Sequence, residues 1–341
     1  MECINQGVRG IPPSPMPTLQ IPNSACFHTL RNFLAMNSPF ADMTPPATLK
    51  LHPKWVHMDP MALAMTAAWG GWCKRKGLSF EIENLGGTHA SYAARMRLFH
   101  HLDIPYVARL EEKEEAGRFM PLTNVRDAND LNKVIGNVSA LLHLDKEPNG
   151  LAAVRYCVSE LVRNVLEHSG SPEGGFVCAQ RYVGEVDRVS IAVADCGHGI
   201  AEHLSHSYPE ALEDDAKALS LAMRPGITGA VTGMYGSPNN AGAGLFFTRA
   251  IAKATGGYFA LISGDAAFRL KRNKKSPPSI FYDAFGDREA SVYKLQDGGW
   301  IGTVASMEIV TKKIADFPRF FKTIRDQLPT QKTAAGKIKF T

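Results

Sequence analysis

A sustained pattern of apolar and polar positions runs from Leu151 to His168, where Leu151, Val154, Val158, Leu161 and Val165 recur at helical spacing. A helix advances roughly 100° per residue, so Glu160, Asn164 and His168, at i, i+4 and i+8, share one narrow face away from that stripe. The apolar side can enter a core while the polar face lines a cavity. A carboxylate one turn from a carboxamide suits a nucleotide site. The Asn oxygen is a hard ligand for Mg²⁺, and the Glu can orient or deprotonate an attacking nucleophile. A solvated helix face carrying an exposed acid fits the same spacing.

Two later stretches shift that balance. Val189-Ser190-Ile191-Ala192-Val193-Ala194 reads as an apolar strand and ends at Asp195-Cys196-Gly197-His198-Gly199-Ile200, which brings a carboxylate and bare backbone into one place. Asn239-Asn240-Ala241-Gly242-Ala243-Gly244-Leu245 then precedes an apolar helical pattern that ends at Gly256-Gly257. Glycines at a helix N-terminus leave N–H groups free for phosphate oxygens. Each glycine group alone reads equally as a turn; the ordered trio is specific.

At these residues the chain resembles the GHKL ATPase superfamily of gyrase-type topoisomerases, the large heat-shock chaperone, MutL repair proteins, histidine kinases and anti-sigma serine kinases. Glu160, Asn164 and His168 match its N box, Asp195 to Ile200 its first glycine box, and Gly242-Ala243-Gly244-Leu245 its second. The spacing Ser159-Glu160-Leu161 to Asn164 to His168 is most similar to the anti-sigma kinases and related ATPases. The resemblance spans about residues 115–312 and implies a two-layer α/β sandwich, a mixed sheet under a helical layer with ATP between them. It implies Glu160 as base, Asn164 as the Mg²⁺ ligand and Asp195 as acceptor of the adenine amino group. His168, Gly197, Gly199, Ile200, Gly242, Gly244 and Leu245 would complete the nucleotide site, with Thr303 of Gly302-Thr303 beside the adenine. A glycine-rich stretch between the boxes, through Pro225-Gly226-Ile227-Thr228-Gly229 and Gly233-Met234-Tyr235-Gly236, has the length of a lid, with Lys217, Arg224 and Thr228 as phosphate contacts; a plain loop is the other reading.

Upstream, Thr48-Leu49-Lys50-Leu51 predicts a strand. Asp59-Pro60 reads as an N-cap, Met61 to Lys76 as an amphipathic helix stopped by Gly77, Leu78 to Glu83 as a second strand and Ser91 to Leu102 as a second helix. Two βα units are the economical reading. Over residues 46–106 this order is similar to STAS domains, the α/β fold found beside GHKL kinases in partner-switching systems. The chain departs from it at Pro60-Met61-Ala62, where those proteins carry a phosphorylatable serine, so the resemblance implies a docking or dimerisation module for a protein partner or second copy and not a phospho-switch. Residues 1–45, with Pro12, Pro13, Pro15, Pro17, Pro22, Pro39 and Pro45, read as an irregular leader in which Phe27, Leu30, Phe33 and Leu34 make a short docking helix. Glu111 to Glu115 reads as a charged boundary, and residues 313–341 as a terminal helix through Phe317, Phe320, Phe321 and Ile324, then a basic tail.

Composition narrows the functions further. The 341 residues suffice for about two domains, and 45% hydrophobic with 21% charged residues is ordinary for a soluble globular chain. A net charge of +5 is too small to argue for nucleic acid unless concentrated, and the one cluster, Arg269 to Lys275, reads as a solvated loop without interleaved aromatics. Six scattered cysteines without a Cys-x-x-Cys pair argue against a zinc site or disulfide framework and for a reducing compartment, and Cys196 reads as a small buried residue. No secretory leader or apolar run of about 18 residues is present, so a cytoplasmic location is expected. The expected function is an Mg²⁺-dependent ATPase or ATP-gated regulatory switch. A serine/threonine kinase of anti-sigma type and a non-catalytic nucleotide-sensing module are the alternatives.

Overall fold

In the computed structural model the described residues are 17–40, 44–86, 90–106, 118–227, 242–271, 279–281, 283–295, 299–326 and 337–339. Thr228, Gly229, residues 233–236 and 239–241, the run 111–115 and the core of the basic cluster, 272–275, lie outside them. Within the stretch expected to be an irregular leader, Leu19 and Ile21 alternate with polar neighbours and form strand β1 (Thr18–Ile21), followed by the short β2 (Ser24–Ala25) and helix α1 (Leu30–Ala35). Proline density hid that alternation. Phe27, Leu30, Phe33 and Leu34 are buried, as a docking helix requires. Strands β3 (Ala47–Leu51) and β4 (His57–Met58), helix α2 (Pro60–Arg75), strand β5 (Phe80–Glu83) and helices α3 (Ser91–Arg95) and α4 (Leu98–His101) follow. β1, β3 and β5 pair in that order as a parallel sheet, while β2 pairs with β4. The single helix expected over 91–102 breaks because Arg97 turns left-handed, with φ 62°.

Helix α2 is capped as the sequence predicts: Asp59 accepts the Ala62 N–H at 3.1 Å, and Pro60 opens the first turn, where no backbone donor is needed. Its expected amphipathicity is not found. From Pro60 to Cys73 nearly every side chain on every face is buried, because the helix is covered on both sides. Gly71 faces the ring of Phe176 in the large sheet, whereas Gly70 faces Leu102 and Phe80 of the amino-terminal unit. Trp69 is 0% exposed, meets Phe80 edge-on at 5.5 Å and donates its Nε1–H to the Pro39 carbonyl at 3.0 Å. One apolar core therefore runs from the parallel sheet through α2 to Phe176, Cys178, Ala192, Ala194 and Ile262.

The large unit begins with β6 (Phe119–Val125), α5 (Ala128–Leu141) and α6 (Pro148–His168), then β7 (Gly175–Tyr182) and β8 (Arg188–Asp195). Helices α7 (Ile200–Ser205), α8 (Asp215–Ala222) and α9 (Gly244–Ala254) lead to β9 (Phe259–Gly264), β10 (Ala266–Leu270), β11 (Ser279–Phe281), β12 (Ala290–Lys294), β13 (Trp300–Ile309), α10 (Phe317–Asp326) and β14 (Lys337–Lys339). Seven strands form one sheet in the order β12-β10-β9-β13-β8-β7-β6, and β11 pairs with β14 separately. β6, at the edge, slips register between Met120 and Thr123, where Pro121 has no N–H to give the ladder. A mixed sheet was expected, yet every described ladder of the seven-stranded sheet is antiparallel. The reason is β13: β8 and β9 run the same way, and β13 inserts between them and opposes both. The alternate face of this sheet, through Val177, Ile191, Val193, Leu261 and Met307, packs with Val134, Val138, Val154, Val158 and Leu161 of α5 and α6 in a second core. The architecture is mixed α/β, two sheets with α2 between them and the remaining helices of the large unit on its far face.

Helix α10 docks as the sequence suggests, Phe321 stacking on Phe247 of α9 at 4.4 Å and meeting Tyr156 of α6 at 4.9 Å. Arg269, expected in a solvated loop, lies in β10 and reaches the carbonyls of Phe27 and His28 at 3.4 and 3.5 Å. No helix among the described residues is long and apolar enough to cross a membrane.

Candidate nucleotide site

Burial of Val154, Val158, Leu161 and Val165 fixes the rotation of α6, and this leaves Glu160, Asn164 and His168 half-buried on its flank. Glu160 packs against Gly244, the first residue of α9, so closely that a Cβ at 244 would collide with Oε2. Burial raises the Glu160 carboxyl above its ordinary range; Arg163 opposes the shift and Glu167 adds to it. The Asn164 Nδ2 is buried without a hydrogen-bond partner among the described residues. As a donor it takes an oxygen acceptor, from water or from a ligand.

The first glycine box is held by a different logic. Asp195 ends β8 at 1% exposure, and its Oδ1 accepts the Gly197 N–H at 2.8 Å. The Thr303 N–H, from β13, donates to the same carboxylate. Burial pushes the Asp195 carboxyl up to about 7, against the pull of those two donors. Gly302 makes the junction possible: at φ 84° it adopts a conformation open to glycine, and a Cβ there would sit 2.6 Å from the Gly197 nitrogen. Gly199, at φ 83°, precedes α7, and the Ile200 N–H donates to Ser263 Oγ at 2.9 Å. Gly242, at φ 75°, lies against the Ile227 carbonyl, and its own carbonyl accepts the Gly226 N–H at 3.0 Å. Half-buried Leu245 follows Gly244 in the first turn of α9, whose leading N–H groups lack intrahelical acceptors.

Three residues escape sequence reasoning. Ser263 of β9 ties two motifs together, its Oγ donating to the Gly302 carbonyl at 2.8 Å while accepting from Ile200. Trp300 donates its Nε1–H to the Asp195 carbonyl at 3.1 Å, and the Ser169 carbonyl accepts the His198 N–H at 2.7 Å. Nothing local marks a serine in an apolar strand or a tryptophan at a strand's start. Cross-strand register is the missing signal, since Thr303 lies opposite Ser263.

His168 takes other neighbours. Its ring stacks on His203 of α7 at 4.3 Å, and its remaining close group is Glu167. Burial, followed by His168, His206 and His198, brings the His203 imidazole down to about 4, so it is neutral at physiological pH. Of the expected phosphate contacts, Lys217 pairs with Glu213 at 2.6 Å, Arg224 is exposed and Thr228 lies outside the described residues. A cleft of about 570 Å³ opens elsewhere, between Asp214, Asp215, Asp265 and Lys294, and none of the site residues expected from the sequence lines it.

The structure thus joins the motifs in two pairs, Glu160 with Gly244 and Asp195 with Gly197, Gly302 and Thr303. Comparison of the chain with protein-family models, with curated proteins and with solved structures finds no match.

Proposed function

We propose that this chain binds ATP with Mg²⁺ and works as an ATPase or ATP-gated regulatory switch, its large unit of GHKL type and its amino-terminal unit a STAS-like interaction module. One observation carries the reading: residues about a hundred positions apart, Asp195 and Gly302-Thr303, converge on one carboxylate beside glycine backbone. A buried carboxylate without a cationic partner is held at a disadvantage, and an exocyclic amino group is the kind of donor that relieves it. With Asp195 almost wholly covered, adenine reaches it only after the groups around it move.

At the other end, Asn164 supplies a side-chain amide and Glu160 a carboxyl that burial raises above its ordinary range, placed to act as a general base. Among the described residues no group of three His, Cys, Asp or Glu side chains stands ready for a metal. That fits Mg²⁺ held by one protein oxygen, the phosphates and water. When bound, the ion neutralises phosphate charge. With nucleotide and ion in place, Glu160 would orient and deprotonate the attacking water, and the leading N–H groups of α9 would serve as donors to phosphate oxygens.

The test is phosphate release from γ-labelled ATP by the full chain and by its Glu160→Gln variant. Release by the parent and none by the variant supports the reading; label moved onto a partner protein makes the chain a kinase, and absence of ATP binding in the parent overturns the site altogether.

A further inference from the structure

The seven-stranded sheet has two edges, and the protein treats them differently. β6 is blunted and covered: Pro121 interrupts its register, the Leu122 N–H donates to the Met96 carbonyl at 3.1 Å, and the Leu122 carbonyl lies 2.9 Å from His101 Nε2. β12 has neither device. It pairs with β10 in unbroken register, from Ala266 opposite Lys294 to Leu270 opposite Ala290, and carries no proline. The Leu295 N–H donates to the Asp265 carbonyl and the Lys271 N–H to the Glu289 carbonyl, which fixes the alternation of the ladder. Ser291 and Tyr293 therefore turn their backbone groups toward β10, whereas the N–H and C=O of Val292 and Lys294 point out from the edge. Among the described residues no hydrogen bond reaches those outward groups. Val292, at the centre of the strand, is 37% exposed, and Leu212, which lines the cleft beside it, is 65% exposed.

The two ends of β12 carry opposite charge. At the Lys294 end lies the cleft of about 570 Å³, lined by Glu213, Asp214, Asp215 and Asp265. Lys294 pairs with Asp265 at 2.7 Å and Lys217 with Glu213 at 2.6 Å, whereas Asp214 and Asp215 accept backbone N–H groups, of Ala216 at 2.9 Å and of Asp265 at 2.8 Å. Burial raises the Asp215 carboxyl, and the charges of Asp265 and Asp214 add to the shift, as a surplus of negative charge requires. At the Ala290 end Lys271 and Arg288 are exposed, and the neighbouring acids Asp287 and Glu289 are held by Lys253.

An antiparallel strand laid along β12 reverses these ends. A second copy of β12 does so around a two-fold axis through Val292. The two Val292 residues then exchange N–H and C=O bonds, each Lys294 N–H meets the Ala290 carbonyl of the other copy, and the basic end of each strand falls on the acid end of its mate. A simple cationic peptide would answer the cleft but not Lys271 and Arg288. A strand with both charges in reversed order answers both, and β12 is such a strand.

We propose that β12 is a homodimerisation edge, at which two copies of this chain pair antiparallel around Val292 and join their seven-stranded sheets into one continuous sheet. The contact is self-complementary, so the assembly closes at two. It lies apart from the amino-terminal unit and from the Glu160 and Asp195 motifs, and its failure would leave the ATP reading untouched. One short strand with a charge cluster at each end makes a small interface, so association is expected at micromolar concentration.

Sedimentation equilibrium of the full chain, from about 1 to 200 μM at low salt, should show monomer and dimer in exchange, with the dissociation constant raised about tenfold by 0.5 M NaCl. Val292→Pro removes an outward N–H without touching the β10 ladder and should raise the constant at least about tenfold. Arg288→Glu, on an exposed turn, should raise it by about as much with an unchanged thermal melt, which separates lost association from lost folding. Amide hydrogen exchange locates the contact: the Val292 and Lys294 amides should exchange fast in dilute protein and severalfold more slowly as the dimer fills. A monomer at every concentration overturns the proposal, as does an assembly that grows past two. A dimer that either substitution leaves at parental strength, or whose Val292 and Lys294 amides exchange equally fast at both concentrations, is held elsewhere and overturns it equally.

Discussion

In the Asp195 cluster the polar groups already have protein partners: Gly197 and Thr303 hold the carboxylate, Trp300 the carbonyl, and Ser263 ties Gly302 to Ile200. At the Glu160 end the Asn164 amide is buried and unmet, and Glu160 rests against a glycine. The contrast separates two tasks. Reading a base demands fixed acceptors, whereas phosphate and metal bring their own charge and complete the shell on arrival. The first cluster therefore has its partners in the free protein and must shed its cover to admit a base, whereas the second gains partners from its ligand.

That division is open to attack in order of expected effect. Glu160→Gln should cut phosphate release by about 10²–10⁴-fold with ATP affinity unchanged in equilibrium dialysis. Lost affinity would make Glu160 a binding group and erase the contrast. Asp195→Ala should weaken ATP binding about a hundredfold or more while leaving the melt near the parent's, because a disfavoured buried carboxylate goes with it. Gly302→Ala, which forces a Cβ onto the Gly197 nitrogen at φ 84°, should lower urea stability by roughly 2–4 kcal/mol. Tolerance there would mean the Asp195 end is looser than its hydrogen bonds suggest. Asn164→Ala should abolish the Mg²⁺ dependence of ATP affinity at a loss of about tenfold, with little effect on folding.

The smallest effect is a pH slope. A carboxyl raised from 3.8 to about 7 on folding contributes stability that is complete below its unfolded value and is lost as pH rises through about 7. The parent should therefore lose urea stability between pH 6 and 8 relative to Asp195→Asn, by about 1–2 kcal/mol. Asp59 is raised to about 7 as well and has the same sign, but it is present in both proteins and drops out of the difference.

The α6 pattern was legible because one side of that helix meets a core and the other does not, so period and burial agree at Val154, Val158 and Leu161. Strand β8 was legible for a different reason, its unbroken apolar run from Val189 to Ala194, which is buried on both faces. Helix α2 misled because its Ala and Gly residues leave no polar stripe between Met61 and Cys73, and periodicity says nothing about a helix enclosed by two layers. Strand β1 was obscured by its prolines, although Leu19 and Ile21 alternate as a strand should. Ser263 and Trp300 depend on strand register, a property of two distant segments together. Asn164 stands out in the sequence by its spacing from Glu160, but the unmet state of its Nδ2 belongs to three dimensions only.

The place of β13 has a consequence for how the protein is made. It is the final strand of the seven-stranded sheet in sequence, yet it occupies an interior position between β8 and β9. While the chain is being synthesised, the sheet exists as two separate pieces, β6-β7-β8 and β9-β10-β12, each with an open interior edge. Such edges template wrong pairings. Both edges stay open to mispairing until residues 300–309 emerge and join them.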